Sequence, residues 1–452
     1  MPRTDDTIAA LATPSGTSAI ALVRVSGVGS KKLVQEIFNE TPPPRVMRHG
    51  DYHEQRGVLI DDVLYALFRG PNSYTGEDAL EISCHGNPYI VQRILEDLYR
   101  RGCRPAEPGE FTQRAFLNGR MDLSQAEAVM DLIRARSDQA LVAANQLLRG
   151  ALGRRMGSLV AGLLDVRARI EAYIDFPEED LPPEDRDIIN RELTRLIAET
   201  DRLLATSHYG AILRDGIKTV IVGPPNAGKS SLLNRLVGRE RALVSAEPGT
   251  TRDFIEEKII IGRHHLRIID TAGLNPAPSP LEKLGMEKTL ECMDEADLIL
   301  LVVDAALPEI ENSPELTKIT THECCIIVLN KNDLINGIEP KIQHSHRNPI
   351  IRVSALTGFG MQSLIESILT LADSSKQDFD TDRIAINSRH THALKNAREY
   401  LVYAQEKILK NTPSELIASD LQEVMEAYEE ISGKIDNENM LDKLFATFCI
   451  GK

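Results

Sequence analysis

The sequence predicts a multidomain chain: an α+β N-terminal domain, an α-helical central domain, and an α/β P-loop (Ras-like) domain inserted into the helical one. Three observations predict it. A G-x-x-x-x-G-K-S string at 223–230 lies between a β-branched run and a helix-spaced run. Near residue 119 glycine thins out, and apolar residues begin to recur at spacings of three and four. The same spacing returns from Thr391 onward, in a tail too short for a core of its own. The expected boundaries are 1–118, 119–213 with 376–452, and 214–375.

A chain of 452 residues is long enough for about three domains. Its net charge of −15 is spread along the length with no basic arm, so any nucleic-acid contact must use a local patch or a partner's surface. The six cysteines, Cys84, Cys103, Cys292, Cys324, Cys325 and Cys449, form no C-x-x-C pair and no framework, which fits free thiols in a reducing compartment. The charged, polar start at Met1–Thr7 does not read as a signal peptide. The most apolar run, Leu298–Val303, is bracketed by Asp297 and Asp304 and is too short to span a bilayer. It reads as a central parallel strand, and the chain as soluble and cytoplasmic, with no membrane partner.

In the first domain, Ala19–Val25 alternates as a strand and Lys31–Phe38 reads as a helix. Val58–Ile60 and Val63–Phe68, divided by Asp61-Asp62, predict a hairpin. Leu80–Cys84 is a further strand, and Tyr89–Arg100 a helix stopped by Gly102. Long amphipathic helices follow, carrying Ala126, Val129, Met130 and Ile133, then Leu159, Leu163, Val166 and Ile170. Asp175–Asp180 and Pro182-Pro183 break them before a helix from Ile188 to about Leu204. The tail predicts helices over Thr391–Leu409, Pro413–Ile431 and Asn439–Phe448.

The chemistry is concentrated in the inserted domain. Glycine at both ends of the 223–230 loop lets successive N–H groups of Asn226, Ala227, Gly228, Lys229, Ser230 and Ser231 turn toward an anion at a helix N-terminus. Lys229 would reach the β- and γ-phosphates of GTP, and the Ser230 hydroxyl would ligate Mg²⁺. Ile268-Ile269-Asp270-Thr271-Ala272-Gly273 is a strand ending in D-x-x-G, which puts a carboxylate beyond the metal and a backbone N–H at the γ-phosphate. Asn330-Lys331-Asn332-Asp333 ends another strand as N-K-x-D. A carboxylate there accepts two hydrogen bonds from the N1–H and 2-amino group of guanine, an edge adenine lacks. Ser354-Ala355-Leu356 fits a loop that closes over the base. Four motifs in this order, each at a strand end, predict a GTP-binding domain.

Leu274 follows D-x-x-G where Ras-type enzymes place a water-orienting glutamine, so another group must orient water. Arg252 and Arg263 flank the first switch and read equally well as solvated surface cations. The Asn226 side-chain oxygen could hold K⁺ beside the β–γ bridge. In Ser245-Ala246-Glu247-Pro248-Gly249-Thr250-Thr251, Thr251 would ligate Mg²⁺ and nearby carbonyls could complete the K⁺ site.

With these residues assembled, the whole chain resembles the tRNA-modification GTPase family MnmE (TrmE). The resemblance rests on Pro108–Thr112, Arg114–Arg120, Gln125–Ala128, Ile174–Asp180, Gly249–Asp253 and Phe448–Lys452. None of these strings is needed merely to make a GTPase. The resemblance implies an N-terminal domain similar to folate-binding aminomethyltransferase domains, which forms a homodimer and binds a tetrahydrofolate derivative as one-carbon donor. It implies G domains that pair across their nucleotide faces in GTP and K⁺. It also implies modification of tRNA at C5 of the wobble uridine, jointly with a partner using FAD and NADH, MnmG (GidA).

Position by position, the resemblance puts Asn226, Ser245, Glu247 and Thr250 at K⁺ ligands and Glu282 at the acid that positions water. It puts Arg24, Glu81, Arg120 and Lys452 at folate contacts. A carboxylate such as Glu81 suits an amino-pyrimidine edge, and cations suit glutamyl carboxylates. Cys449 stands in the register of a C-a-a-X box, but Gly451 and Lys452 are poor residues for prenylation. A buried structural thiol is one reading of it; the resemblance implies a functional cysteine near the folate site. His264-His265, His344-x-His346 and His390-x-His392 lack a completing acid or cysteine and read as solvated loop residues. Two departures stand out. Asn275–Pro280 is proline-rich where the family has an arginine and acids, which should stiffen the second switch and slow Glu282. Pro224 replaces a commoner basic residue.

A ribosome-assembly or signalling GTPase without folate chemistry is the alternative. Such proteins usually carry an RNA-binding module with a G-x-x-G clamp, and none is evident outside the G domain. A folate enzyme with a vestigial G domain is disfavoured by intact nucleotide motifs.

Overall fold

The computed structural model describes residues 6–175, 183–239, 255–262, 264–270, 293, 295–306, 319–320, 322, 324–335, 348–374, 384–410, 412–433 and 438–452. These divide into two compact units. One comprises Met1–Met130, Gln146–Thr200 and His392–Lys452; the other comprises Asp131–Asn145 and Asp201–Thr391.

The first unit opens with a six-stranded sheet. Its strands are β1 (Ile8–Leu11), β2 (Ile20–Ser26), β3 (Arg48–His53), β4 (Leu59–Phe68), β5 (Ala79–His85) and β6 (Arg104–Pro105), in the order β3-β4-β5-β2-β1-β6. Alternation decides which face is covered. Val23, Val25, Leu80, Ile82, Val63 and Leu67 point toward helices α1 (Ser30–Phe38) and α2 (Pro88–Arg100), which supply Leu33, Val34, Ile37, Val91, Ile94 and Leu98. The intervening residues, Arg24 and Glu81 among them, lie on the opposite face. Antiparallel register sets Arg24 directly across from Glu81.

The predicted hairpin at Asp61-Asp62 is not a turn. Leu59–Phe68 runs through as one strand, and its partner is Arg48–His53. The two carboxylates are accommodated because they face polar neighbours: Asp61 accepts the backbone N–H and ring nitrogen of His85, and Asp62 pairs with His49. The partner strand, β3, is a polar edge strand and carries no apolar alternation to find.

Helix α3 (Glu110–Leu117) joins the sheet to α4 (Leu123–Arg134), α5 (Asp138–Leu148), α6 (Ala151–Asp175) and α7 (Pro183–Leu204). Arg114 on α3 is 1% exposed and is neutralised by Asp6, Glu77 and Glu110. In the same unit, the buried stripe Leu159, Leu163, Val166 and Ile170 of α6 faces the tail helix Ser414–Ser432.

Besides Asp131–Asn145, the second unit contains α8 (Ser207–Asp215), followed by β7 (Ile217–Val222), α9 (Lys229–Arg239), β8 (Ile255–Ile261), β9 (His264–Asp270), β10 (Leu298–Asp304), β11 (Cys325–Asn330), β12 (Ile350–Arg352) and α10 (Met361–Ser374). The sheet order is β12-β11-β10-β7-β9-β8, parallel except for β8. β10 is buried on both faces, which is why Leu298–Val303 reads as an unbroken apolar run. One face packs on Leu232, Leu233 and Leu236 of α9 and on Leu364, Ile365 and Ile368 of α10; Met293, Ala296 and Ile319 cover the other.

Within this unit, α8 and the residue before it are tied to the segment at 384–386. Thr206 Oγ1 donates to Ile384 O at 2.7 Å, and Arg214 Nη2 donates to Ile386 O at 2.6 Å. A Cβ on Gly210 would stand 2.1 Å from the same Ile386 oxygen, so glycine sets that approach.

The tail adds α11 (Ser388–Leu409), α12 (Ser414–Ser432) and α13 (Glu438–Phe445). Tyr428 of α12 meets Thr200 of α7, hydroxyl to hydroxyl at 2.7 Å in the core. Leu441, Phe445 and Phe448 pack against Leu123, Ala126 and Met130 of α4.

The histidine pairs depart from expectation. His264, His265 and His390 are buried rather than solvated. His264 sits on β9 with Asp373 at 2.7 Å, and the backbone N–H of His390 donates to Asn387 Oδ1 at 2.8 Å at the start of α11. His344 and His346 lie outside the described residues. Among the described residues no group of three or more His, Cys, Asp or Glu could hold a metal ion, and no helix is long and apolar enough to cross a membrane.

Candidate nucleotide and folate sites

The phosphate loop leaves β7 at Gly223 and enters α9 at Lys229. Gly223 has φ of 144° and a Cβ there would lie 2.0 Å from Val302 O, so β10 pins the loop. Gly228, at φ 93°, would place a Cβ 2.2 Å from Asn330 Nδ2. Asn226 takes φ of 62°, in the left-handed region that asparagine tolerates better than most residues. The loop therefore has the curl an anion cradle requires. Lys229 Nζ donates to the carbonyls of Gly223 and Pro224 at 2.8 and 2.9 Å, which holds the ammonium over the loop. Ala227 is buried, and Ser230 and Ser231 lie in the first turn of α9.

Asn330, at the end of β11, links three segments. Its Nδ2 donates to Ala227 O at 2.9 Å, its Oδ1 accepts from Ala355 N at 3.0 Å, and its carbonyl accepts from Ala305 N at 2.8 Å. Lys331 follows in the left-handed region at φ 64°, and its Nζ bonds Asp304 Oδ2 at 2.7 Å. Asp333 is exposed in the 3-10 turn Asn332–Leu334. Ser354 is buried and closes a tight turn, accepting on Oγ from Thr357 N at 3.1 Å, while Leu356 is 81% exposed. The structure thus brings the phosphate loop, the N-K-x-D turn and the Ser354–Leu356 loop to the C-terminal ends of neighbouring parallel strands, the usual position for ligands in an open α/β sheet. Asp270 ends β9 beside Ile221. Ser245, Ala246, Glu247, Pro248, Gly249, Thr250, Thr251, Thr271, Ala272, Gly273 and Glu282 lie outside the described residues.

The second constellation lies on the open face of the first sheet. Arg24 Nε and Nη2 both donate to Glu81 Oε1, at 3.0 and 2.8 Å, and Nη1 reaches Gly451 O at 3.5 Å. The guanidinium lies 5.3 Å from the Tyr74 ring centroid and 5.8 Å from that of Phe111. Phe111 N–H donates to Lys452 O at 3.2 Å. Arg120 is exposed, and its stem runs beside Gly76, in the loop that carries Tyr74. Asn118 Nδ2 anchors that loop through Thr75 O at 2.8 Å. Arg24, Glu81 and the Lys452 backbone are therefore neighbours, with Arg120 approached through the Tyr74 loop.

Sequence reasoning missed Tyr74 as a wall of this site and Phe111 as the buried ring behind it. Tyr74 as the one aromatic in a polar loop was the available signal. Cys449 is exposed, which removes the buried-thiol reading of it.

The family model described as the MnmE helical domain matches residues 123–449, and that described as the GTP-binding protein TrmE N-terminus matches residues 7–120. The chain is 54% identical over 452 residues to the tRNA modification GTPase MnmE of Opitutus terrae, covering 100% of both chains. It is 43% identical over 457 residues to the protein of the same name from Akkermansia muciniphila, again covering 100% of both. Among solved structures it is similar to the G domain of the T. maritima FeoB iron transporter, at 28% identity over 34% of this chain and 98% of that one. The TM-score there is 0.26, too low to carry an argument. On the two matching domain models and the full-length relatives, the chain belongs to the MnmE (TrmE) family of tRNA-modification GTPases.

Proposed function

We propose that this chain is a K⁺-activated GTPase that modifies tRNA with a partner that uses FAD and NADH, MnmG (GidA). The product is an aminomethyl or carboxymethylaminomethyl group at C5 of the wobble uridine (position 34) of certain tRNAs, built from a tetrahydrofolate one-carbon unit. The supporting observation is that one chain carries both an intact guanine-nucleotide loop and a separate Arg24–Glu81 site closed by residues 427 positions away.

In this reading Lys229 exchanges its two carbonyl partners for phosphate oxygens, and Asp333 reads the guanine edge. Ser230 and Thr251 would hold Mg²⁺, which would neutralise charge on the phosphates. Asn226, Ser245, Glu247 and Thr250 would hold K⁺, and Glu282 would position water where Leu274 cannot. Asn226 fits in that it is exposed in the phosphate loop, with its backbone in the left-handed region, so its side-chain oxygen is not tied up in the core. At the second site, Glu81 would take an amino-pyrimidine edge, Arg24, Arg120 and Lys452 would take glutamyl carboxylates, and Cys449 would lie close by. The partly buried Tyr74 ring suits a flat heterocycle, and the fully buried Phe111 backs it. The working form is a homodimer in the cytoplasm.

The test is mass analysis of wobble nucleosides in tRNA from cells lacking this protein, restored with wild type or Lys229→Ala. Loss of the modified uridine that only wild type restores is the expected result. Unmodified uridine that neither restores, or no change at all, sinks the reading and favours a ribosome-assembly or signalling GTPase. Equal hydrolysis rates in K⁺ and Na⁺ would remove the cation's role alone.

A further inference from the structure

We infer that Gly451 is a positioning residue for the Arg24–Glu81 site, and that residues 449–452 form a clip that holds this site in shape. Two glycines set the clip's position, Gly451 within it and Gly109 against the residues just before it. Gly451 has φ of 90°, and a Cβ on it would stand 2.2 Å from Leu11 O and 2.9 Å from Ala12 Cα. Its backbone therefore lies flush against the end of β1, where no other residue fits. Gly109 has φ of 70°, and a Cβ there would stand 2.6 Å from Phe445 O and 3.0 Å from Phe448 Cβ.

The clip is also bonded at its two ends. Gly109 N–H donates to Cys449 O at 3.3 Å, and Phe111 N–H donates to Lys452 O at 3.2 Å. Ala12 N–H donates to Leu22 O at 2.7 Å, so the β1 end that receives Gly451 is tied to the strand carrying Arg24.

The consequence for the site is chemical. Both bonds from Arg24 to Glu81 go to Oε1 and none to Oε2, while Nη1 is turned toward the Gly451 carbonyl. With that carbonyl in place, Arg24 leaves Glu81 Oε2 unengaged, so that oxygen can serve a ligand. With it displaced, the guanidinium is released to form the two-oxygen fork that Arg prefers with a carboxylate. Glu81 would then be closed to a ligand, and Lys452 would leave the site. This rests on the folate reading for the ligand's name, and on the geometry alone for the clip.

The experiment uses the full chain, with 5-formyltetrahydrofolate as titrant and amide hydrogen exchange at Phe111 and Gly109 as a ligand-free readout. Binding of mant-GDP by the same samples reports that the variants are folded. Gly451→Ala, which pushes the clip off the end of β1, and Gly109→Ala, which pushes Phe445 and Phe448 at the head of the clip, should each weaken folate binding at least tenfold and speed Phe111 exchange at least tenfold. Wild-type folate affinity in Gly451→Ala, or unchanged Phe111 protection, overturns the inference. If wild type binds no folate yet Gly451→Ala loses Phe111 protection, the clip stands and the folate reading falls.

Discussion

Asn330 and Gly228 share one space: the asparagine's amide nitrogen lies 2.2 Å from where a Cβ on residue 228 would be. That amide reaches the phosphate loop through Ala227 and the base-side loop through Ala355. Gly228→Ala should therefore abolish nucleotide binding by forcing the two apart, with mant-GDP affinity at least a hundredfold weaker. Asn330→Ala leaves a buried acceptor and donor unpaired, at roughly 1–3 kcal/mol each. Urea unfolding should show a loss of that order, and an unchanged midpoint would refute the bridging role.

Asp333 can be tested by inverting its hydrogen-bonding sense. An asparagine at this position would present a donor where the carboxylate accepted, which suits a base with a carbonyl at C2. Asp333→Asn should weaken GTP by about a hundredfold, near two lost charge-assisted bonds at ~1.5 kcal/mol each. Affinity for xanthosine triphosphate should rise. Competition against mant-GDP measures both, and unaltered guanine preference would show that Asp333 does not read the base.

His265 makes the stability of the second unit sensitive to mild acid. Burial, then the nearby charges of Arg136 and Lys258, pull its pKa from 6.5 down to about 4. The folded value lies below the unfolded one, so stability is complete above pH 6.5 and falls as pH drops toward 4, because the unfolded chain binds the proton first. At about 1.4 kcal/mol per pH unit the full loss is on the order of 3 kcal/mol. His265→Gln should flatten the wild-type slope over that window. Parallel curves from about pH 7 to about 4.5 would count against it.

The thiols should react in a fixed order. Cys449 is exposed, whereas burial pushes Cys84 up to about 11 and Cys103 and Cys325 up to about 12. The thiolate is the nucleophile, so the buried three should stay silent in the native state. Iodoacetamide at about pH 8 followed by peptide mapping should find Cys449 modified well before Cys84, Cys103 or Cys325. Early labelling of any of those three would contradict the packing.

The parts of this fold that depend on short-range pattern were legible in the sequence. The all-apolar β10, the phosphate loop and the long helices have periodicities or spacings dictated by local geometry. Arg48–His53 was not legible as a strand, because an edge strand with five polar or glycine residues shows no alternation. The burial of His264 and His265 was hidden for a related reason: a buried ring with Asp373 for a partner looks, in sequence, like a solvated one. The pairing of Arg24 with Glu81 follows from sheet register, and its approach to Gly451 from tertiary folding, neither of which spacing encodes. Tyr74 and Phe111 gain their place in the site only from that same convergence.

The link from α8 to the 384–386 carbonyls has an engineering consequence. Two stretches far apart in sequence are thereby held side by side within the second unit, as closely as the ends of a tight loop. A chain shortened by removing residues 217–383 and joining Gly216 to Ile384 through a few glycines and serines should keep Thr206 and Arg214 bonded to the 384 and 386 carbonyls, because those bonds need nothing from the excised stretch.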